Sequence, residues 1–200
     1  MHLLRIARGL RDRGTYVSGR ALSHPPSFFL GAVENPFAPP LDFRPMRLGK
    51  KIEAGAEFIQ TQIVFNVPRF RQFMARVGEL GLLDSVFVLA SVFIPRSEGS
   101  ARYLRDMVPG IDVPEEVVSR LERTPKDRQA EEGLQIALLE LVEAVRGIAG
   151  VRGVHLMSIG QEHAILRLIE RAGLLPRPGA SEVPSAAGKR PELRPPLEVV

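Results

Sequence analysis

The chain has 200 residues, 44% hydrophobic and 25% charged, with a net charge of +4 and a pI near 9.9. That is enough chain for one ordinary domain with a buried core, and it excludes overall disorder. With no cysteine, disulfide frameworks, thiolate metal sites and cysteine nucleophiles are excluded, and a reducing, cytoplasmic location is expected.

Periodicity predicts a helix over residues 2–13, with Leu3, Leu4, Ala7 and Leu10 on one stripe. Arg5, Arg8 and Arg11 interrupt it at helical spacing, so it lacks the apolar run of a signal peptide. FFLGAV (28–33) reads as a strand stopped by Asn35-Pro36, and a proline-rich loop follows to Phe43. A helix is predicted over 44–57, with Pro45 near its start and Gly55 near its end, then a strand over 58–65. Asn66 and Pro68 open a helix over 68–80 that carries Phe70, Phe73, Met74 and Val77 on one side. SVFVLASVFI (85–94) has the nearly all-apolar character of a strand covered on both faces. Helices are expected over 97–107 and 113–123, the second with Pro114, Glu115 and Glu116 at its N-terminus. The longest amphipathic pattern runs over 126–146, followed by a strand at 151–159 and a helix at 161–175.

From Pro176 the composition turns proline-rich, so 1–175 is expected to be the folded domain and 176–200 a disordered tail. The order α, β, α, β, α, β, α(α)α, β, α implies a parallel α/β sheet with right-handed crossovers. Four strands suit either a small open sheet or half of an eight-stranded barrel, a fold that takes about 250 residues when complete.

Several chemistries are excluded. There is no GxxxxGK[ST] or GxGxxG phosphate loop, no GxSxG elbow, and no HxxxH or HExxH spacing among His2, His24, His155 and His163. Basic residues alternate with acidic ones, which argues against a nucleic-acid partner. No stretch approaches the roughly 20 apolar residues of a membrane span, so no membrane partner is expected either. What stands out is IQTQIVFN (59–66), where Gln60 and Gln62 share one face of an otherwise apolar strand. A glutamine turned into an apolar interior must find partners or lose about 1–3 kcal/mol. Gln62 lies toward the strand's C-terminal end, where parallel α/β folds bind ligands. A ligand contact and a backbone-satisfied buried side chain are equally compatible with that pattern.

GAVENPFAPP, RLGKKIEAGAEFIQTQIVFN, SARYLRDMVPGIDVPEEVVSRLE and GVHLM stand in this order over residues 1–175. Together they resemble the second half of the methylenetetrahydrofolate reductase family. The resemblance implies a (β/α)₈ TIM-type barrel, here about half of one (four β/α units). It also implies reduction of 5,10-methylenetetrahydrofolate to 5-methyltetrahydrofolate, with hydride passing from NADH or NADPH through FAD. Lys50 and Lys51 match the family's FAD-contacting basic pair, and Asn35 and Arg47 fall at flavin-contact positions. Gln62 matches the glutamine that binds the folate pterin. Gln161 falls where some members direct an arginine at the folate, and Glu98 where some carry a stacking aromatic.

By the same resemblance, residue 1 falls inside the helix after the family's fourth strand, so the family's catalytic glutamate has no counterpart here. No catalytic residue is therefore assigned. A homo-oligomer, or a second chain completing the barrel, is the expected assembly. An isolated half-barrel that only binds, or an inactive fragment, is the alternative.

Overall fold

In the computed structural model, residues 1–176 are described. The tail expected over 176–200 thus lies, from residue 177 on, outside the described residues. Four strands, β1 (Gly31–Glu34), β2 (Phe58–Ile63), β3 (Phe87–Phe93) and β4 (Val151–Met157), form one sheet in sequential order, every pair parallel. Helix α1 (His2–Arg13) precedes the sheet. Helix α2 (Phe43–Glu53) connects β1 to β2, and α3 (Val67–Glu79) connects β2 to β3. The long return to β4 contains α4 (Glu98–Met107), α5 (Glu115–Arg123) and a helical run from Lys126 to Arg146. Helix α8 (Glu162–Arg171) closes the described part, so the chain is an α/β half-barrel of four strand–helix units.

Sequential order with parallel pairing means each crossover moves one strand over in the same direction, as in a barrel wall. The convex face is sealed. Ile59, Val88, Ala90 and Val92 pack there against Leu48 of α2, Phe70, Met74 and Val77 of α3, and Leu168 of α8, all buried. The concave face, which carries Phe58, Gln60, Phe87, Leu89 and His155, is only half-buried. Within the described residues β1 and β4 each keep one unpaired edge. No described helix is long and apolar enough to cross a membrane.

Helix starts follow the expected chemistry. The Asn66 side chain accepts from the backbone N–H of Arg69 at 3.0 Å, and Ser97 and Ser100 form a capping box on α4. Three differences from the sequence reading have a local cause. The strand expected at 28–33 is displaced to Gly31–Glu34, because its partner β2 begins only at Phe58. Phe29 instead stacks on Phe58 with ring centroids 5.4 Å apart. A Cβ at Gly31 would stand 2.1 Å from the Phe58 ring, so only glycine lets that ring lie against β1. Helix α2 stops at Glu53 rather than 57, because Gly55 turns left-handed (φ 113°) and sends the chain into β2.

The third difference is in pitch. Residues 126–146 are helical as expected, but the run passes from 3₁₀ (Lys126–Arg128) through α6 (Gln129–Gln135) and a π segment (Ile136–Val142) into α7 (Glu143–Arg146). The wider π turn brings Ile136, Ala137, Leu138, Leu141 and Val142 onto a narrower arc than an α-helix would, and all five are buried.

Candidate functional site

Three strands contribute to one polar cluster on an otherwise apolar sheet. From β3, Ser91 is 1% exposed. Its hydroxyl donates to the Thr61 carbonyl at 2.6 Å, and its backbone N–H donates to Thr61 Oγ1 at 3.0 Å. The Thr61 hydroxyl donates in turn to the Gln62 carbonyl at 2.8 Å. From β4, Nδ1 of His155 lies 3.1 Å from Ser91 Oγ, and its Nε2 lies 3.5 Å from Nε2 of Gln60 on β2. The cluster sits on a bulge: between Gln60 and Ile63, β2 takes one residue more than β3 takes between Leu89 and Ser91. Gln62, inside the bulge, is half-buried, and its Oε1 accepts from the backbone N–H of Ile63 at 2.9 Å.

A second group joins β1 to α2. Glu34 has a side chain 1% exposed, and its carboxylate meets the ammonium of Lys51, which also donates to the Val33 carbonyl. Arg44 Nη1 lies 3.8 Å from the same carboxylate, while its Nε and Nη2 hold the Ala38 and Pro39 carbonyls at 2.6 and 2.8 Å. One buried anion therefore fixes both the helix and the start of the proline-rich loop.

The residues singled out by sequence fall into distinct settings. Lys50 and Lys51 are adjacent on α2 but project about 100° apart, as neighbouring helical positions must. Lys51 turns inward, whereas Lys50 is exposed, with Nζ 5.5 Å from the Phe43 ring centroid. Arg47 is exposed and makes no hydrogen bond or ion pair among the described residues. Asn35 is held on both sides: its Nδ2 donates to the Gly110 carbonyl at 3.0 Å, and its Oδ1 accepts from the N–H of Phe37 at 2.9 Å. Gln161 is 6% exposed at the N-cap of α8, and its side chain makes no hydrogen bond among the described residues. Nearby, a Cβ on Gly160 would stand 3.6 Å from Arg96 Nη1, so that exposed guanidinium overlies the turn after β4. Glu98, at the start of α4, pairs with Arg102.

Glu34, Arg44, Thr61, Ser91 and His155 were not singled out as site residues by sequence. The one available signal was polar residues within apolar strand patterns. No group of three His, Asp or Glu able to hold a metal occurs among the described residues. A surface depression between Arg123, Thr124, Arg128 and Glu132 is lined by no residue of either group.

As for chemistry, the concave cluster presents amide and imidazole groups on a half-buried apolar floor. Such a surface suits a flat, polar-edged heterocycle. Two exposed cations one helical turn apart, Arg47 and Lys50, suit phosphate oxygens.

Comparison with known proteins gives three results. The sequence profile described as methylenetetrahydrofolate reductase matches residues 30–173. The chain is 23% identical over 180 residues to methylenetetrahydrofolate reductase 2 of Schizosaccharomyces pombe, covering 87% of this chain and 28% of that protein. It thus spans little more than a quarter of that relative's length. An uncharacterized protein from Clostridium thermocellum, described as binding two copies of 5-methyl-5,6,7,8-tetrahydrofolic acid, shares the fold with a TM-score of 0.50. That match is 16% identical and covers 83% of this chain and 67% of the other.

Proposed function

The chain belongs to the methylenetetrahydrofolate reductase family, and from that premise we propose that it binds a reduced folate on the concave face of its sheet. In this reading it serves the flavin-dependent reduction of 5,10-methylenetetrahydrofolate to 5-methyltetrahydrofolate. The observation that carries the reading is the polar cluster around Gln60 and Gln62 on the half-buried face, toward the C-terminal ends of the strands. Ligands of (β/α)₈ folds bind at that end. A pterin has a flat apolar body and a polar edge, and both find counterparts there.

The residues present fit FAD in part. Arg47 and Lys50 have exposed head groups that make no ion pair among the described residues and would hold its pyrophosphate. Lys51 and Asn35 would act indirectly, one holding α2 to β1 and the other holding the loop after β1. When bound, the flavin supplies hydride transfer between NADH or NADPH and the folate. The protein's own residues bind and orient: Gln62 and Gln60 fix the pterin edge, and the apolar floor excludes water beneath it. In this reading binding and orientation are the part played by these residues.

The half-exposed concave face and the unpaired edges of β1 and β4 also favour a second reading, a subunit whose sheet is completed by further strands. Calorimetric titration of the 200-residue chain with 5-methyltetrahydrofolate tests the proposal. Saturable binding that weakens roughly tenfold in Gln62→Ala, the loss of about one well-made hydrogen bond, supports it. No binding in the wild-type chain rejects it.

A further inference from the structure

The hydrogen bonds across β2, β3 and β4 have a direction. Ser91 has one hydroxyl hydrogen, and the Thr61 carbonyl at 2.6 Å takes it. Toward His155 Nδ1, 3.1 Å away, the Ser91 oxygen can therefore only accept. Nδ1 thus carries the proton of the neutral ring, and Nε2 is left with its lone pair. Among the described residues that lone pair meets only the Gln60 amide, at 3.5 Å, which is long for a hydrogen bond. His155 itself is half-buried on the open concave face. An acceptor is thus held in place by a buried hydroxyl and only weakly used by the protein.

Ser91 has a second role. Its N–H donates to Thr61 Oγ1 at 3.0 Å, at the point where β2 carries its extra residue. Bulges re-aim side chains, and this one sets the backbone of Gln62. One buried serine therefore fixes the histidine tautomer and the strand distortion that presents the glutamine.

We propose that His155 is a specificity-determining residue of the folate site, with Nε2 accepting a hydrogen bond from an N–H of the reduced pterin. Ser91 is the positioning residue that holds the ring as the Nδ1–H tautomer. The assignment rests on the folate reading above. A 2-amino-4-oxo-pteridine edge has N–H donors beside a carbonyl acceptor. The glutamine amides can serve both kinds of group, but an imidazole held this way serves only the donors. Ligands whose edge offers only acceptors are then disfavoured, because the Nε2 lone pair would face another lone pair.

Two measurements on the full 200-residue chain test this. In the first, histidine-¹⁵N NMR of the wild type should show His155 as the Nδ1–H tautomer, and Ser91→Ala should lose that single form. A wild-type Nε2–H tautomer, or an unchanged tautomer in Ser91→Ala, overturns the positioning role. In the second, 5-methyltetrahydrofolate and p-aminobenzoylglutamate, which lacks the pterin, are titrated into wild type, His155→Asn and His155→Gln. Asparagine keeps a donor toward Ser91 but loses the distal acceptor, and glutamine restores an acceptor there. The expected result is a roughly tenfold weaker folate affinity in His155→Asn, partial recovery in His155→Gln, and no change for p-aminobenzoylglutamate. Equal loss for both ligands would mark a merely structural residue and overturn the assignment, as would wild-type folate affinity in a folded His155→Asn. Should that variant not fold, titrating folate into labelled wild type decides: the Nε2 resonance of His155 must move. Absence of folate binding by the wild type instead rejects the folate reading itself, and this assignment with it.

Discussion

Lys51 and Glu34 form an ion pair inside the protein, with side chains 10% and 1% exposed. Its neighbour Lys50 stands in solvent on the same helix. Removing one partner of a buried pair leaves the other charge uncompensated and typically costs about 3–5 kcal/mol. Lys51→Met is accordingly expected to lower unfolding free energy by roughly that amount, and Lys50→Ala to change it by less than about 0.5 kcal/mol. Urea denaturation of the two variants separates them, and equal effects would contradict the placement of Lys51.

Arg47 and Lys50 carry the dinucleotide expectation. Exposed cations act on phosphates through a screened field, so their contribution fades as salt shortens the Debye length from about 10 Å at 0.1 M to about 3 Å at 1 M. Fluorescence titration with FAD should show binding that weakens with salt. The Arg47→Ala/Lys50→Ala pair should lower affinity roughly tenfold or more and flatten the salt dependence. Unaltered affinity in the double variant would move the flavin elsewhere.

Gly133 lies in α6, where helix propensity alone predicts that alanine stabilises by about 1 kcal/mol. A Cβ there would stand 1.7 Å from the Pro95 carbonyl oxygen, a backbone atom that cannot swing aside. Gly133→Ala is therefore expected to destabilise by roughly 1–3 kcal/mol, the range for overpacking. Thermal unfolding gives the sign directly, and a raised Tm would refute the close approach of α6 to the end of β3.

Glu131 receives Arg167 at 2.6 Å and Arg171 at 2.9 Å, tying α6 to α8. Hydrogen bonds from Arg167 and then Arg171 hold its carboxyl below its ordinary value of 4.5. A carboxyl depressed in the folded state stabilises above its unfolded pKa, and that stability is lost as pH falls through the lower folded value. The group is 43% exposed, so solvent screening keeps the effect below about 1 kcal/mol. Glu131→Gln should lower Tm slightly at pH 7, with the gap to wild type closing below about pH 4. A gap constant from pH 7 to pH 3 would show that the charge plays no part.

Legibility in the sequence followed how local each cause was. Helix α5 could be read because Pro114, Glu115 and Glu116 announce its start, and β3 because its run is nearly all apolar. The apolarity of Phe28 and Phe29 resembles strand and places β1 too early, whereas Phe29 serves packing, stacked on Phe58. Gln60 and Gln62 stood out as polar residues in an apolar strand. Ser91 and His155 did not, because their contact joins positions 64 apart and depends on register shifts in two strand pairs. Lys50 and Lys51 looked alike because burial depends on which way α2 is rolled. That is set by Glu34, on another element.

The loop between α4 and α5 is tied to two neighbours at once. The Gly110 carbonyl holds Asn35 after β1, and Asp112 holds Asn66 and Arg69 at the start of α3, at 2.9 and 2.8 Å. Segments far apart in sequence thereby rise and fall as one unit at the rim of the sheet. A small molecule touching any one of them should slow amide exchange in all three together, so the rim reports occupancy collectively rather than loop by loop.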